Sequence, residues 1–209
     1  MTTNYYSRMR FTQRLLPLMQ AASPQLSRVV SVLAPGEESR TSFHLNDLGL
    51  KEDFSLRNAA CHATTMTDFF FEELAKKYPT ISFVHAYPGG VKTGFNKEAG
   101  FVIKAASNLA FKLLSPWMVD IQESGERHLY AASSAAYPAK SGLDGGVELG
   151  DQSTVKGSAG EFSSGAYLIG SDGEFRANVK VLEELRKQGA GHTIWDHTVK
   201  TCEAVTNKI

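Results

Sequence analysis

The chain has 209 residues, 42% of them apolar and 21% charged, which is the composition of an ordinary globular protein. Its 22 basic and 22 acidic side chains balance, so no nucleic acid or membrane surface is indicated as a partner, and no apolar run is long enough to span a bilayer. Two cysteines, Cys61 and Cys202, do not make a disulfide framework, so we expect a cytoplasmic protein.

The first predicted helix and strand lie within the opening 36 residues. Apolar side chains recur at a partly helical spacing from Tyr5 to Met19. Pro17 removes one backbone donor from that segment, so a kink or an early end is expected there. The run "RVVSVLAPG", Arg28 to Gly36, is short, almost continuously apolar and closed by Pro-Gly. This pattern predicts a strand of a parallel sheet, buried on both faces from Val29 to Leu33.

A loop, a long helix and a second strand are predicted next. The segment from Glu37 to Leu56 is polar and irregular, and it is expected to form the loop. Apolar residues at near-helical spacing predict a helix from Asn58 to Lys77, which the following Tyr78-Pro79 ends. The apolar run from Ile81 to Ala86 predicts a strand that leads into a Pro-Gly-Gly turn.

The rest of the chain adds helices, a glycine-rich segment and one more strand. In order, the predicted elements are a helix from Ala99 to Leu114, a helix from Ser124 to Ser133, a long surface excursion from Pro138 to Ser164, a strand within "SGAYLIGSDGEF", and helices from Val179 to Lys187 and from Thr193 to Thr206. Alternating helices and strands predict an α/β fold with a Rossmann-like parallel sheet flanked by helices. We expect one partial domain over 1–209: a sheet-and-helix core at 1–95, substrate-side helices and loop at 96–164, and a last strand and helices at 165–209.

The segment "ISFVHAYPGGVKTGF", Ile81 to Phe95, predicts a ligand-binding loop, because ligands of parallel sheets bind at the carboxyl ends of the strands. A nucleotide site would also need a glycine-rich phosphate loop. Neither G-x-G-x-x-G nor G-x-x-x-x-G-K-[ST] occurs anywhere in the chain. The sequence therefore predicts the far half of a nucleotide-binding fold without its first half.

Four segments carry a resemblance to a known family: "NYYSRMRFTQRLLPLM", "RVVSVLAPGEE", "NAACHATTMTDFFFEELAKKYPTISFVHAYPGGVKT" and "SGERHLYAASSAAYP". Together they resemble the C-terminal two-thirds of a short-chain dehydrogenase/reductase of the fungal secondary-metabolite type. The resemblance implies an NAD- or NADP-dependent carbonyl–alcohol oxidoreductase as the ancestral activity. It also implies that Met1 falls just before the family's fourth helix, so that the family's glycine-rich loop is absent and the Rossmann-like fold is truncated.

The best match to the family is the segment after the second predicted strand. There the resemblance implies cofactor-binding roles for Pro88, Gly89, Val91 and Thr93, with the backbone near Val91 at the nicotinamide carboxamide. This segment alone provides none of the donors that hold a pyrophosphate. We therefore expect no cofactor on this chain alone.

The family's catalytic serine, tyrosine and lysine are all missing. The resemblance places the serine at Leu33 or Ala34 and the other two near Ala60 and Thr64, and no Tyr or Lys lies between Phe54 and Lys76. Loss of the proton donor commonly slows such chemistry by about 10²- to 10⁴-fold.

Three other side chains remain as candidate catalytic residues. His62 lies about where the resemblance places the proton donor, and histidine can act as an acid or base near neutral pH. His85 and Tyr87 flank the end of the second predicted strand, on one face of it. The alternative for each is a buried side chain satisfied by packing and one hydrogen bond. Cys61 is expected to be a small buried hydrophobe, and no histidine or cysteine spacing indicates a metal site.

Two functional hypotheses remain, and so does the question of whether the chain is an enzyme. The first is a short-chain dehydrogenase/reductase-like oxidoreductase of a fungal biosynthetic pathway, acting on a small molecule such as a polyketide or terpenoid. The second is a relative without redox activity, either a cofactor-free isomerase or cyclase using His62 or His85, or a partner subunit.

An expectation about assembly follows from the missing first half. The outer edge of the strand from Val29 to Leu33 would lack a neighbour, and the resemblance implies a dimer face on the helices Tyr5–Met19 and Asn58–Lys77. We expect a homodimer or a complex with another chain.

Overall fold

A computed structural model describes residues 1–23, 25–91, 118–142, 145–150 and 153–206. Its centre is a three-stranded parallel sheet in the order β1-β2-β3, formed by β1 (Arg28–Val32), β2 (Ser82–Ala86) and β3 (Ala166–Ile169). Helices lie on both faces of the sheet. The predicted α/β class, with a Rossmann-like parallel sheet flanked by helices, is confirmed.

Five α-helices surround the sheet in the described part of the chain. They are α1 (Ser7–Ala22), which continues a π-helical turn over Thr2–Tyr6, α2 (Leu56–Lys77), α3 (Ile121–Ser133), α4 (Val179–Lys187) and α5 (Ala190–Thr206). A short 3-10 turn, Leu45–Asp47, interrupts the predicted loop before α2. The helix predicted from Ala99 to Leu114 lies outside the described residues.

Helix α1 does not end at Pro17, so the early end, one of the two outcomes predicted there, does not occur. It continues to Ala22, and the amide of Ser23 closes it on the carbonyl of Gln20. Proline removes only one helical hydrogen bond, and Pro17 is an exposed residue of α1.

Helix α2 is the central helix of the molecule. Its first turn is capped by Ser55, whose hydroxyl accepts a hydrogen bond from the amide of Asn58. It is buried nearly all round, because the sheet covers one side and α5 covers another. Phe70 of α2 stacks on Trp195 of α5 with ring centroids 4.9 Å apart. The part of the expected dimer face that includes Phe70 is therefore covered within the chain.

The two faces of the sheet carry different partners. Phe83 and Leu168 point to the face covered by α2 and α5, whereas Val84 and Tyr167 point to the face covered by α3. Because side chains alternate along a strand, His85 belongs to the α2 face. This placement brings a histidine of the middle strand against the central helix.

Strand β1 differs from its prediction in burial. It was expected to be buried on both faces, yet Ser31 is its only residue that is buried, and the other four are half exposed. The reason is its position, since β1 is the edge strand of the described sheet and only β2 pairs with it.

The glycine-rich excursion after α3 forms no helix and no regular strand in its described residues. Isolated bridges join Ser134 to Val147 and Lys156 to Phe162. Part of this segment nonetheless packs against the sheet. Ser158 is buried, and its amide donates to the carbonyl of Ala166 on the outer edge of β3. None of the described helices combines the length and the apolar character that crossing a membrane requires.

Candidate functional site

The loops that follow the three strands meet at the carboxyl edge of the sheet, and Arg176 joins them. Its Nε donates to the carbonyl of Pro35 at 2.8 Å, and its guanidinium pairs with Glu37, both in the loop after β1. The same guanidinium lies 4.2 Å from the centroid of the Tyr87 ring, just beyond β2. The amide of Arg176 donates to Leu168 of β3. One side chain therefore fixes the relative positions of the loops after β1 and β2.

Two glycines permit this arrangement. Gly36 has a φ of +91°, and a Cβ there would lie 2.7 Å from Cγ of Arg176. Gly89 has a φ of +76°, and a Cβ there would lie 3.0 Å from Cβ of Ser171, in the loop after β3. Both positions combine a left-handed backbone with a close neighbour, so both favour glycine.

The predicted cofactor loop lies at this edge. Pro88, Gly89 and Val91 follow the end of β2, and the amide of Val119 donates to the carbonyl of Gly90 at 2.8 Å. Val91 also pairs with Val119 in an isolated bridge. Thr93 lies outside the described residues. The cofactor-binding roles of these residues remain predictions.

A buried polar cluster lies beneath these loops. Nδ1 of His85 and Oδ1 of Asp68, on α2, are joined by a hydrogen bond of 2.5 Å, and both side chains are fully buried. Glu38, 3% exposed, interacts with the Asp68 carboxyl. Its own carboxylate accepts hydrogen bonds from the amides of Gly36 and Asn178. Glu38 thus connects the loop after β1 with the residue that precedes α4.

Burial sets the ionisation of this cluster. It raises the pKa of Asp68 well above the usual range and lowers the pKa of His85 to about 3. Burial, together with the nearby Asp68, raises the pKa of Glu38 to about 7, although its two amide donors oppose the rise. Both shifts favour the neutral forms of the Asp68 and His85 side chains.

His62 occupies a separate environment on α2. Its Nε2 accepts a hydrogen bond from the amide of His44 at 2.9 Å, and its ring lies 4.7 Å from the ring of Phe43. Burial, reinforced by His44, lowers the pKa of His62 to about 4. The ring is therefore neutral at pH 7, with a fully buried Nδ1 that has no hydrogen-bond partner in the described chain.

The structure does not bring the two predicted catalytic histidines, His62 and His85, into one site. His62 and His85 share no hydrogen-bond or ring partner and are both fully buried, whereas Tyr87 is half buried against Arg176. Their catalytic roles remain predictions, and no substrate reaches either histidine without a rearrangement.

The residues at the positions where the resemblance places the family's catalytic serine, tyrosine and lysine cannot replace those side chains. Leu33 donates its amide to Ala86 and has an aliphatic side chain, Ala60 is an exposed methyl, and the Thr64 side chain is buried. Within the described ranges no group of three or more metal-ligating side chains has the geometry to hold an ion.

Sequence reasoning missed Glu38, Asp68 and Arg176. The sequence did contain a signal for Asp68, which directly precedes three phenylalanines on an apolar helix. Burying a carboxylate there without a partner would be costly, so the pattern indicates a partnered, buried Asp68. Glu38 and Arg176 had no such signal, since they lie in loops and each has a partner about 140 positions away in the chain.

No protein-family model matches the chain. It is similar to an oxidoreductase of Emericella nidulans, with 46% identity over 93% of the chain and 58% of that protein. It is also 32% identical to a short-chain dehydrogenase/reductase of Stachybotrys chartarum, over 99% of the chain and 59% of the relative. An NmrA-like oxidoreductase of an Aspergillus species is 35% identical over 95% of the chain and 55% of its own length. The chain thus resembles fungal oxidoreductases over nearly all of its own length and less than two-thirds of theirs.

Proposed function

We propose that this chain provides the nicotinamide side of a short-chain dehydrogenase/reductase-type oxidoreductase in fungal secondary metabolism. The observation that carries the proposal is the loop Pro88–Val91 at the carboxyl end of the middle parallel strand, packed on Ser171 through Gly89. Parallel sheets bind their ligands at this edge. The names of the fungal relatives support a redox role. The substrate would be a small molecule, such as a polyketide or terpenoid.

The described residues do not fit a whole dinucleotide. The loop after β2 offers backbone groups for the nicotinamide end, but the sequence has no glycine-rich phosphate loop and no Tyr or Lys at the start of α2. NADP or NAD would therefore need phosphate-binding polypeptide beyond these 209 residues.

A cofactor-free isomerase or cyclase is the weaker alternative. It would rely on His62 or His85, and both rings are fully buried with a lowered pKa, so neither is exposed to a substrate and neither is in its cationic, acid form at pH 7. The partner-subunit alternative is compatible with the proposal, because a chain that supplies half of a site needs a second polypeptide.

The test compares NADPH binding by the chain alone and by a chimera. The chimera carries the unmatched portion of the Emericella nidulans relative ahead of Met1, the order that the resemblance implies. We expect no saturable binding by the chain alone and micromolar binding by the chimera, measured by NADPH fluorescence. Saturable binding by the chain alone, or a chimera that is folded by circular dichroism and does not bind, would contradict the proposal.

A further inference from the structure

A short segment of the chain lies across the carboxyl edge of the sheet. Residues 34–38 follow the end of β1, and two side chains that come after β3 hold them in place. Nε of Arg176 donates to the carbonyl of Pro35 at 2.8 Å, and the side chain of Asn178 donates to the carbonyl of Glu38 at 3.1 Å. We call residues 34–38 the strap, because they connect the two edges of the described sheet.

The strap lies beside the point where the predicted cofactor loop begins. Arg176 pairs with Glu37 of the strap, and the same guanidinium lies 4.2 Å from the centroid of the Tyr87 ring. Tyr87 directly follows β2 and is half buried. Opening of the strap would remove two of the partners that hold Arg176 over this ring, and it would expose the start of the loop after β2.

The strap is held closed mainly by polar contacts. Pro35 and Glu38 are its only buried residues, so it gains little from apolar burial. The two carboxyl oxygens of Glu38 accept the amides of Gly36 and Asn178 at 2.7 Å each. The state of one carboxyl therefore decides how well the strap is attached.

The titratable and charged groups around Glu38 come from several elements. Its carboxyl interacts with that of Asp68 on α2, and Asp68 is hydrogen-bonded to His85 on β2. The remaining groups come from α1, α2, α4 and the loops after β1 and β3, and they are Arg8, Cys61, Glu72, Arg186, Glu37 and Arg176. The titratable side chain with the largest effect on Glu38 is thus another acid.

The arginines of this region are engaged elsewhere. Their partners are Glu37 for Arg176, Glu72 for Arg186, and the carbonyl of Val32 for Arg8. Among the described residues, neither Glu38 nor Asp68 forms an ion pair with a lysine or an arginine, and Oδ2 of Asp68 is buried without a hydrogen-bond partner. Ionising two buried carboxyls in contact is costly without a cation. The closed strap therefore favours a proton on Glu38.

We propose that the strap is a lid on the carboxyl edge of the sheet, and that a proton on Glu38 controls its opening. With the proton in place, the carboxyl stays buried against Asp68 and the strap is closed. Without the proton, the strap opens, Glu38 moves into water, and Tyr87 and the loop after β2 become accessible. This inference goes beyond the proposed function, because the lid needs no cofactor and would act on any ligand of this edge.

The direction of the pH effect follows from the two states of Glu38. Burial raises its pKa to about 7 in the closed strap, and the ordinary value is 4.5. The contribution of Glu38 to closing is therefore fully present below pH 4.5, and it is lost as the pH rises through about 7. The ratio of open to closed strap should rise by about 300-fold in all, of which about 70-fold falls between pH 5 and pH 8.

Residue-resolved hydrogen exchange of the chain tests this lid. The amides of Gly36 and Asn178 donate to Glu38, so their protection should fall by about 70-fold from pH 5 to pH 8, after correction for the pH dependence of chemical exchange. The amide of Phe83, which donates to Gly165 within the sheet, reports global unfolding. Urea below the unfolding transition should speed exchange at Phe83 and not at Gly36 or Asn178, because opening the strap exposes little surface.

Three variants separate the proton from the other contacts of the strap. Glu38→Gln should make protection at Gly36 independent of pH, whereas Glu37→Gln, at the exposed neighbour, should keep the parental pH dependence. Asn178→Ala removes the side-chain donor to the carbonyl of Glu38 and keeps the backbone amide. It should speed exchange at Gly36 by about fivefold at every pH, the effect of one lost hydrogen bond.

Three results would overturn the proposal. Protection at Gly36 and Asn178 that is constant from pH 5 to pH 8 would exclude control by a proton. A urea dependence equal to that of Phe83 would show that the strap opens only when the whole chain unfolds. A pH dependence that persists in Glu38→Gln would assign the effect to another group. None of these measurements uses NADPH, so failure of the lid and failure of the proposed function are separate outcomes.

Discussion

Glu38 is the residue through which the loop after β1 is tied to the start of α4. Its two carboxylate oxygens accept the amides of Gly36 and Asn178 at 2.7 Å each, and the Asn178 side chain donates to its carbonyl. The side chain lies over the buried His85–Asp68 pair, so a charge on it is costly. A single carboxyl therefore couples the ionisation of the cluster to the loops at the carboxyl edge of the sheet.

The pH dependence of stability should reveal this carboxyl. Its pKa rises from 4.5 to about 7 on folding, so the folded chain binds the extra proton between these values. Stability from this group is present below pH 4.5 and is lost as the pH rises through about 7. The difference corresponds to about 3 kcal/mol. We expect the free energy of unfolding of Glu38→Gln, relative to that of the parent, to rise by about 3 kcal/mol between pH 4.5 and pH 8. Urea unfolding at each pH measures this difference.

The neighbouring glutamate provides the control for this experiment. Glu37 pairs with Arg176 and its side chain is 60% exposed, so Glu37→Gln should keep a nearly constant offset from the parent over the same range. A constant offset for Glu38→Gln as well would show that Glu38 is ionised in the folded chain at pH 5.

The turn after β2 is the element that places the predicted cofactor loop. Gly89 and Gly142 have nearly the same left-handed backbone, with φ values of +76° and +72°. They differ in surroundings, because a Cβ at Gly89 would meet Ser171 and Val119, whereas no described residue lies within 4 Å of one at Gly142. Substitutions at these two glycines therefore distinguish the cost of a left-handed backbone from the cost of a close contact between loops.

We expect Gly89→Ala to destabilise the chain by more than Gly142→Ala does. The left-handed backbone should cost each variant about 1–2 kcal/mol, and the contact with Ser171 should add about 1–3 kcal/mol at Gly89. Urea unfolding of both variants measures the difference. Adding Ser171→Gly should restore part of the loss in Gly89→Ala and none in Gly142→Ala. Equal losses in the two alanine variants would mean that the turn after β2 does not pack on the loop after β3.

At the scale of the whole molecule, the two ends of the described chain close over the central helix. Tyr5, before α1, is hydrogen-bonded through its hydroxyl to Thr198 of α5 at 2.6 Å. Trp195 of α5 stacks on Phe70 and lies 4.6 Å from the Lys77 ammonium group, both on α2. Helix α5 thus covers the part of the expected dimer face on α2 that includes Phe70.

Removing the Trp195 side chain from α2 should lower the free energy of unfolding and increase self-association of the chain. We expect Trp195→Ala to lower the free energy of unfolding by about 3 kcal/mol, because it exposes Phe70 and removes a large aromatic contact. Val205→Ala, on the same helix at a residue that is 60% exposed, should change it by less than about 0.5 kcal/mol. Sedimentation at rising concentration should show more self-association in Trp195→Ala than in the parent. An unchanged profile together with parental stability would contradict the covering role of α5.

The spacing of apolar residues predicted most of the helices and strands, because each of these patterns lies within a few neighbouring residues. The runs Arg28–Gly36 and Ile81–Ala86 became β1 and β2, and the helix predicted at Val179–Lys187 has those bounds in the structure. The early end that was one of the two outcomes predicted at Pro17 did not occur, because a proline removes only one helical hydrogen bond and α1 continues to Ala22. The buried cluster was missed because Glu38, Asp68 and His85 are separated by 30 and 17 positions, so no local window contains them.

The sequence by itself determined the α/β class, the order of the elements and the absence of a glycine-rich phosphate loop, since periodicity and motifs are properties of neighbouring residues. Only the tertiary structure decided that His62 and His85 lie in separate buried environments, that α5 covers the Phe70 side of α2, and that β1 is the edge strand of the described sheet. Each of these depends on which distant segments come together, and burial, pKa and edge pairing are set by those contacts rather than by the residue alone.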